Sequence, residues 1–148
     1  MKKLLVIALC FLITSCGKYV GDNALQRFVK SSLKDKKQGT LKLSAYNEVQ
    51  WDKVYILGPY TNKKNLDADL KAYYTDIIES EVESDDQVCF VMLYKGKELV
   101  GKATFNRRYY DLEALTKFTT NAKIAPYSKE DANFPFADVK NIYIIRQR

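Results

Sequence analysis

The chain has 148 residues, with 24 Lys or Arg against 18 Asp or Glu, a formal net charge of +6 at pH 7. It contains no histidine, which removes the commonest general base, the commonest metal ligand and the Ser-His and Cys-His pairs of nucleophilic catalysis. No metal and no cofactor is expected.

Met1-Lys2-Lys3 leads into an apolar run from Leu4 to Ile13 and then Thr14-Ser15-Cys16-Gly17, the charged, apolar and small-residue order of a secretory signal. A membrane-spanning helix needs about 20 apolar residues. This run is about half that length, so it predicts cleavage rather than a retained span. The segment Ile13-Thr14-Ser15-Cys16 resembles the lipobox of bacterial lipoproteins. The resemblance implies that residues 1–15 are removed, that Cys16 carries the lipid (a diacylglyceryl group, with palmitate-type acylation of its amine), and that the mature protein is held at a membrane in the cell envelope. Two or three buried chains, at about 0.8 kcal/mol per CH₂, suffice for stable anchoring. Ordinary cleavage with Cys16 as a bystander fits less well, because Ile13 is bulky for a small-residue site. By the same resemblance, Gly17 directs the protein to the periplasmic face of the outer membrane in a Gram-negative cell.

Removing 15 of 148 residues leaves 133, enough for a single domain. Lys2 and Lys3 depart with the signal, so the net charge falls from +6 to +4. That is a mild excess, and nucleic acid is not an expected partner of an exported chain. Cys10 is also lost, and with Cys16 lipidated only Cys89 remains. No disulfide forms within the mature chain, and Cys89, inside Val88-Cys89-Phe90-Val91-Met92-Leu93, reads as a buried inert thiol.

Residues 16–21 form a tether; five extended residues reach about 17 Å, which keeps the domain of residues 22–148 near the bilayer. From Asn23, Leu25, Phe28, Val29 and Leu33 follow a helical period, with Asn23 and Gln26 as a capping pair and an end before Gly39. Arg27, Lys30, Lys34 and Lys37 fall on the opposite side as a basic stripe, either a solvated face or a contact for anionic head groups or an acidic partner. From Leu41 the period becomes two: Leu41, Leu43, Ala45 and Val49 face one way. Trp51 to Leu57 reads as a further strand, with Val54 and Ile56 opposite Trp51, Lys53, Tyr55 and Leu57. A second helix is predicted over Asn65 to Glu79, with Leu66, Leu70, Tyr73, Tyr74, Ile77 and Ile78 inward. Glu79, Glu81, Glu83, Asp85 and Asp86 read as a solvated acidic loop.

Val88 to Tyr94 is the most apolar strand and is expected at the centre of a sheet, covered on both faces. A turn at Lys95-Gly96 returns the chain into Leu99, Gly101, Ala103 and Phe105, which alternate with Val100, Lys102 and Thr104 as a hairpin. Asn106 to Lys140 yields only a helical hint after Ser128, and Ile142 to Ile145 a last strand tied into the sheet. The fold class expected is α+β: a mainly antiparallel sheet of about five strands packed against two helices.

Trp51-Asp52-Lys53-Val54-Tyr55-Ile56-Leu57-Gly58-Pro59-Tyr60 fits the pattern Trp-Asp-x-Val-x-Ile-x-x-Pro-Tyr. It resembles a segment of small uncharacterised bacterial exported proteins and lipoproteins. The resemblance implies a shared strand-to-helix unit and no activity. Asp52 would fix the start of the strand and Pro59 its end. Trp51, Tyr55 and Tyr60 either pack inward or form an aromatic recognition patch. Tyr109-Tyr110 beside Arg107-Arg108 leaves room for an aromatic and basic surface that binds sugar polymers or protein.

These features point to a non-enzymatic, lipid-anchored envelope module that binds a protein or an envelope polymer. An immunity or inhibitor lipoprotein that intercepts a toxin or hydrolase is a second reading within the binding class. An envelope hydrolase using Asp or Glu is the alternative from another class, and needs two carboxylates about 5 to 9.5 Å apart in one pocket. The anchor has a direct check. Intact mass of the protein extracted from native membranes is expected to equal the chain from Cys16 plus acyl chains, and a Cys16→Ser variant to lack them; an unlipidated parent would remove the anchor.

Overall fold

The computed structural model describes residues 22–147. The expected signal peptide of residues 1–15, the expected lipid attachment at Cys16 and the expected tether of residues 16–21 lie outside the described residues. In chain order the elements are helix α1 (Asp22–Leu33), strands β1 (Gln38–Lys42) and β2 (Lys53–Leu57), helices α2 (Ala68–Ala72) and α3 (Tyr74–Glu79), and strands β3 (Val88–Lys95) and β4 (Glu98–Asn106). They are followed by the short strands β5 (Tyr110–Asp111), β6 (Lys117–Phe118), β7 (Ile124–Ala125) and β8 (Tyr127–Ser128), then β9 (Asn133–Val139) and β10 (Ile142–Ile145).

The first sheet runs β4-β3-β2-β8, antiparallel throughout. Alternation along β2 and β3 sends Val54, Ile56, Cys89, Val91 and Leu93 into one core and Tyr55, Leu57, Phe90, Met92 and Tyr94 into another. The first core is closed by Leu25, Val29 and Leu33 of α1 and by the inner face of a second sheet, β1-β9-β10-β5, through Leu41, Phe134, Phe136 and Ile145. The second is closed by Leu66, Leu70 and Ile77, on and beside α2 and α3. Each such aliphatic side chain contributes about 1.5–3 kcal/mol when fully withdrawn from water. The result is an α+β domain with mainly antiparallel sheets; β5 with β10 is the parallel pair. It has more strands than the five expected.

Several local differences have identifiable causes. The second helix is broken in two at Tyr73 (φ −117°, ψ 33°), whose hydroxyl accepts the Leu99 N–H at 3.1 Å while its ring meets Tyr94 edge-on at 5.7 Å. Ile78, expected inside, is 52% exposed. Strand β1 stops at Lys42, where a single 3₁₀ turn, Leu43–Ala45, resets the period and buries Tyr46 while exposing Ala45. The capping pair of Asn23 and Gln26 involves the helix start, whose side chains lie outside the described residues; the Gln26 amide donates to the Thr104 carbonyl at 2.6 Å and ties the helix to β4.

The tight turn between β3 and β4 is Gly96-Lys97, with Gly96 at φ +60°. Asp52 accepts the Gly96 N–H at 2.8 Å, so it fixes this hairpin as well as the approach to its own strand. A register shift at Leu93/Tyr94 inserts Val100 as an extra residue, so Leu99 enters the second core while Val100, Ala103 and Phe105 enter the first. No helix follows Ser128; its hydroxyl and the Asp131 N–H and carboxylate close a turn.

Strand β9 has no counterpart in the sequence reading, because Pro135 argues against a central strand. Pro135 pairs with Thr40 of β1, and its carbonyl, which accepts from Arg146, points to the β10 side beyond the last ladder pair, Ile145↔Phe136. The N–H that proline lacks would point the same way, toward Arg146, so its absence ends the β9–β10 ladder there and leaves the pairing with β1 intact.

Cys89 is fully buried, and that burial pushes its thiol up to about 12. In a Cys10→Ser, Cys16→Ser background, alkylation at about pH 8 is expected only after denaturation. Rapid labelling of the native protein would contradict this packing.

Candidate functional site

Helix α1 and the turn that continues it place Arg27, Lys30 and Lys34 at i, i+3 and i+7 on the exposed side, spread along about 10 Å of helix axis, with the Lys34 N–H still donating to the Lys30 carbonyl. Among the described residues none of the three is ion-paired. The helix ends at Leu33, and Asp35 turns the chain away in the left-handed region (φ 61°), a conformation aspartate tolerates better than most residues.

Facing the helix is the rim of the second sheet. Because β5 and β10 run parallel with Tyr110 opposite Tyr143, the two rings leave the sheet on the same face and stack, 5.8 Å apart at 9°. Phe105 meets Tyr110 edge-on at 6.3 Å and Phe136 meets Tyr143 at 5.9 Å, so an aromatic row runs out of the first core to the surface. Phe136 itself lies across from Gly39 of β1, where a Cβ would come within 3.2 Å of the ring.

Helix and rim enclose a groove of about 630 Å³ lined by Arg27, Lys30, Ser31 and Lys34 on one side and Tyr110 and Tyr143 on the other, with Asp35 at its end. The Lys30 ammonium stands 6.0 Å from the centre of the Tyr110 ring, within cation–π range. Among the described residues neither the Tyr110 nor the Tyr143 hydroxyl has a hydrogen-bond partner. Burial, then the neighbouring Tyr143, raises the Tyr110 phenol above its ordinary range, which keeps it a neutral donor. The groove thus collects one guanidinium, two ammonium groups and two phenol hydroxyls against a single carboxylate, a set suited to oxyanions.

Lys37, the fourth member of the stripe, is used differently. Its ammonium pairs with Asp138 at 2.8 Å, and its carbonyl accepts the Asp138 N–H at 2.7 Å, pinning the β9 end to the exit of α1. The bond to Lys37 holds the Asp138 carboxyl below the usual carboxylate range, and the same bond raises Lys37.

The three aromatics of the Trp51–Thr61 segment do not converge. Trp51 is buried in the first core, with its indole N–H donating to the Tyr46 carbonyl at 2.8 Å and Lys129 over its ring. Tyr55 is buried in the second core, where its hydroxyl donates to Asp67 at 2.5 Å. Desolvation first, and then that bond, pushes its phenol far up. The strand begins at Lys53, so Trp51 escapes the alternation that would have put it beside Tyr55. Tyr60 alone is exposed, at 64%. It sits in the left-handed region at φ 57°, a strain of order 1–3 kcal/mol for a bulky residue.

The basic and aromatic surface anticipated around Arg107–Tyr110 is also divided. Arg107 is consumed by Asp111, Glu113 and the Asp86 carbonyl, and Arg108 reaches Gln87. Only Tyr110 reaches the groove. Tyr143 was missed from the sequence: its strand was legible, but nothing local signals a parallel partner 33 residues earlier.

Several carboxylates elsewhere are engaged, Asp69 with Lys53, Asp76 with Lys102, and Asp111 and Glu113 with Arg107. Glu130 and Asp131 share a cleft of about 320 Å³ beside Tyr127 and Phe134, but both are exposed residues of the Ser128 turn. Among the described residues no group of three His, Cys, Asp or Glu side chains could hold a metal, and no helix is long and apolar enough to cross a membrane. The chain matches no protein-family model, no curated protein and no solved structure.

Asp138 stabilises the fold above its unfolded pKa, and that contribution is lost as pH falls through its lower folded value. Lys37 contributes below its unfolded pKa and loses this as pH rises through its raised folded value. An Asp138→Asn variant is therefore expected to unfold at lower urea concentration than the parent at about pH 7, with the gap closing below about pH 4. A gap independent of pH would assign the effect to packing instead.

Proposed function

We propose that the protein is a non-enzymatic module of the bacterial envelope, anchored through lipid on Cys16, whose α1 groove holds an extended anionic chain. The observation that carries this reading is the convergence of Arg27, Lys30 and Lys34, unpaired among the described residues, on two unpartnered tyrosine hydroxyls across one groove. Charges aligned along a channel with low-dielectric walls focus the field and raise the local concentration of an oppositely charged partner.

The shape of the site favours a chain over a plane. A flat bilayer surface meets the outer side of the stripe but not the tyrosine hydroxyls across the groove, whereas an anionic polymer or an acidic peptide segment can lie between helix and rim. The tether supports an envelope polymer as the occupant: with residues 16–21 as the link to the lipid, the groove stays within a few tens of ångströms of the membrane.

The test compares the parent with an Arg27→Gln, Lys30→Gln, Lys34→Gln variant for binding to dextran sulfate, polyglutamate and phosphatidylglycerol vesicles. At about 1 kcal/mol per cation, polymer binding is expected to weaken about a hundredfold and to fall steeply with salt in the parent. A Tyr110→Phe, Tyr143→Phe variant should weaken polymer binding while leaving vesicle association unchanged. Equal polymer binding by parent and triple variant would return the stripe to a solvated helix face.

A further inference from the structure

The α1 groove carries a group that works against a pure polyanion. Asp35 is exposed and, among the described residues, has no ion pair, yet it lines the same groove as Arg27, Lys30 and Lys34. Resting on the reading of that groove as a site for an anionic chain, we infer that its ligand is a polyol phosphodiester polymer. Such a chain, of which 1,3-linked glycerol phosphate is the simplest, separates its phosphates by hydroxyl-bearing carbons.

Charge density is the first argument. Three cations against one carboxylate leave the groove a net charge of +2, spread along about 10 Å of helix axis. Three extended backbone bonds span about 3.5 Å, so the six bonds that join two phosphorus atoms through a three-carbon polyol span about 7 Å. Two diester phosphates then fit the row and balance it, one against Arg27 and Lys30 and the other against Lys34. Extended polyglutamate carries a carboxylate about every 3.5 Å, and polyphosphate is denser still. Either brings an excess of anions toward Asp35.

The acceptors are the second argument. The Ser31 hydroxyl donates to the Phe28 carbonyl at 2.9 Å, so toward the groove it can only accept, as can the Asp35 carboxylate. Polyphosphate offers neither group a donor. A polyol hydroxyl between two phosphates supplies one while the phosphates stay on the cations, so Asp35 selects for the hydroxyl and against the denser polyanion.

The tyrosines are the third. Tyr110 and Tyr143 stack on each other, Phe105 closes on Tyr110, Phe136 closes on Tyr143, and the Lys30 ammonium lies over the Tyr110 ring. With these neighbours the pair turns its hydroxyls to the groove rather than an open ring face on which a base could stack. Single-stranded DNA also joins its phosphates through three carbons, but it needs such a face and has no free hydroxyl between phosphates. Two phenols leaving adjacent strands side by side are instead neutral donors to the unesterified oxygens of a phosphate.

The test titrates poly(glycerol phosphate), polyphosphate, polyglutamate and oligothymidylate of equal charge into the full-length protein in neutral detergent, by calorimetry. Poly(glycerol phosphate) is expected to bind about tenfold more tightly than each of the others. Asp35→Gly suits the backbone at φ 61°, so folding is not at risk. It is expected to shift the ratio of poly(glycerol phosphate) to polyphosphate affinity about tenfold toward polyphosphate. Glycerophosphoglycerol, the phosphatidylglycerol headgroup without its acyl chains, is expected to compete more than tenfold less well than the polymer, because it has a single phosphate. Equal binding of all four polymers, an affinity ratio that Asp35→Gly leaves unchanged, or a headgroup as potent as the polymer would each overturn the inference. In those cases a uniform loss of polymer binding in the Arg27→Gln, Lys30→Gln, Lys34→Gln variant would leave the groove reading standing. Polymer binding untouched by that variant would remove the groove reading and this inference together.

Discussion

A strand with apolar side chains on both faces cannot lie at the surface of a sheet packed on one side only. Seven of the eight residues of β3 are buried, and its partner β2 buries four of five. The chain must therefore supply cover twice. It does so with helices α2 and α3 on one face, and on the other with α1 together with a second sheet. Once two separate elements share one face, a seam between them is unavoidable, and the basic groove is the outer mouth of that seam. The side chains that line it are the polar ends of elements whose apolar parts are already committed to the core.

Much of this was legible. The helical period of Leu25, Val29 and Leu33, the central place of Val88–Tyr94, the hairpin that follows it and the final strand at Ile142–Ile145 all stand where residue spacing put them. The errors share a physical origin. Tyr73 breaks a helix because it serves β4 from outside the helical ladder, Val100 reverses a face because it bulges, and Pro135 sits in a strand because its missing donor faces past the ladder's end. Each is a tertiary arrangement overriding a local rule, and none leaves a mark in the residues on either side.

The candidate site divides along the same line. The stripe of Arg27, Lys30 and Lys34 follows from helical geometry alone. Its opposite wall depends on a parallel pairing between two segments that each look unremarkable in isolation. Trp51 and Tyr55 show the converse: aromatic residues that look like a recognition surface in sequence prove to be the fillings of two different cores, one with its N–H and the other with its hydroxyl satisfied internally. Large aromatics with a polar atom are ambiguous until the partner of that atom is known.

The parallel pairing of β5 with β10 has a consequence for how the molecule is made. Strand β1 waits for β9, and the stacked tyrosines wait for β10, so the second sheet closes contacts separated by roughly a hundred residues at one edge. A chain growing from its N-terminus can bring β2, β3 and β4 together early, since that hairpin is local, but it has no groove until β10 has emerged. The groove is thus a late feature of the described chain, and a product cut short a few residues before Tyr143 would hold all four strands of the first sheet and lack the groove's second tyrosine.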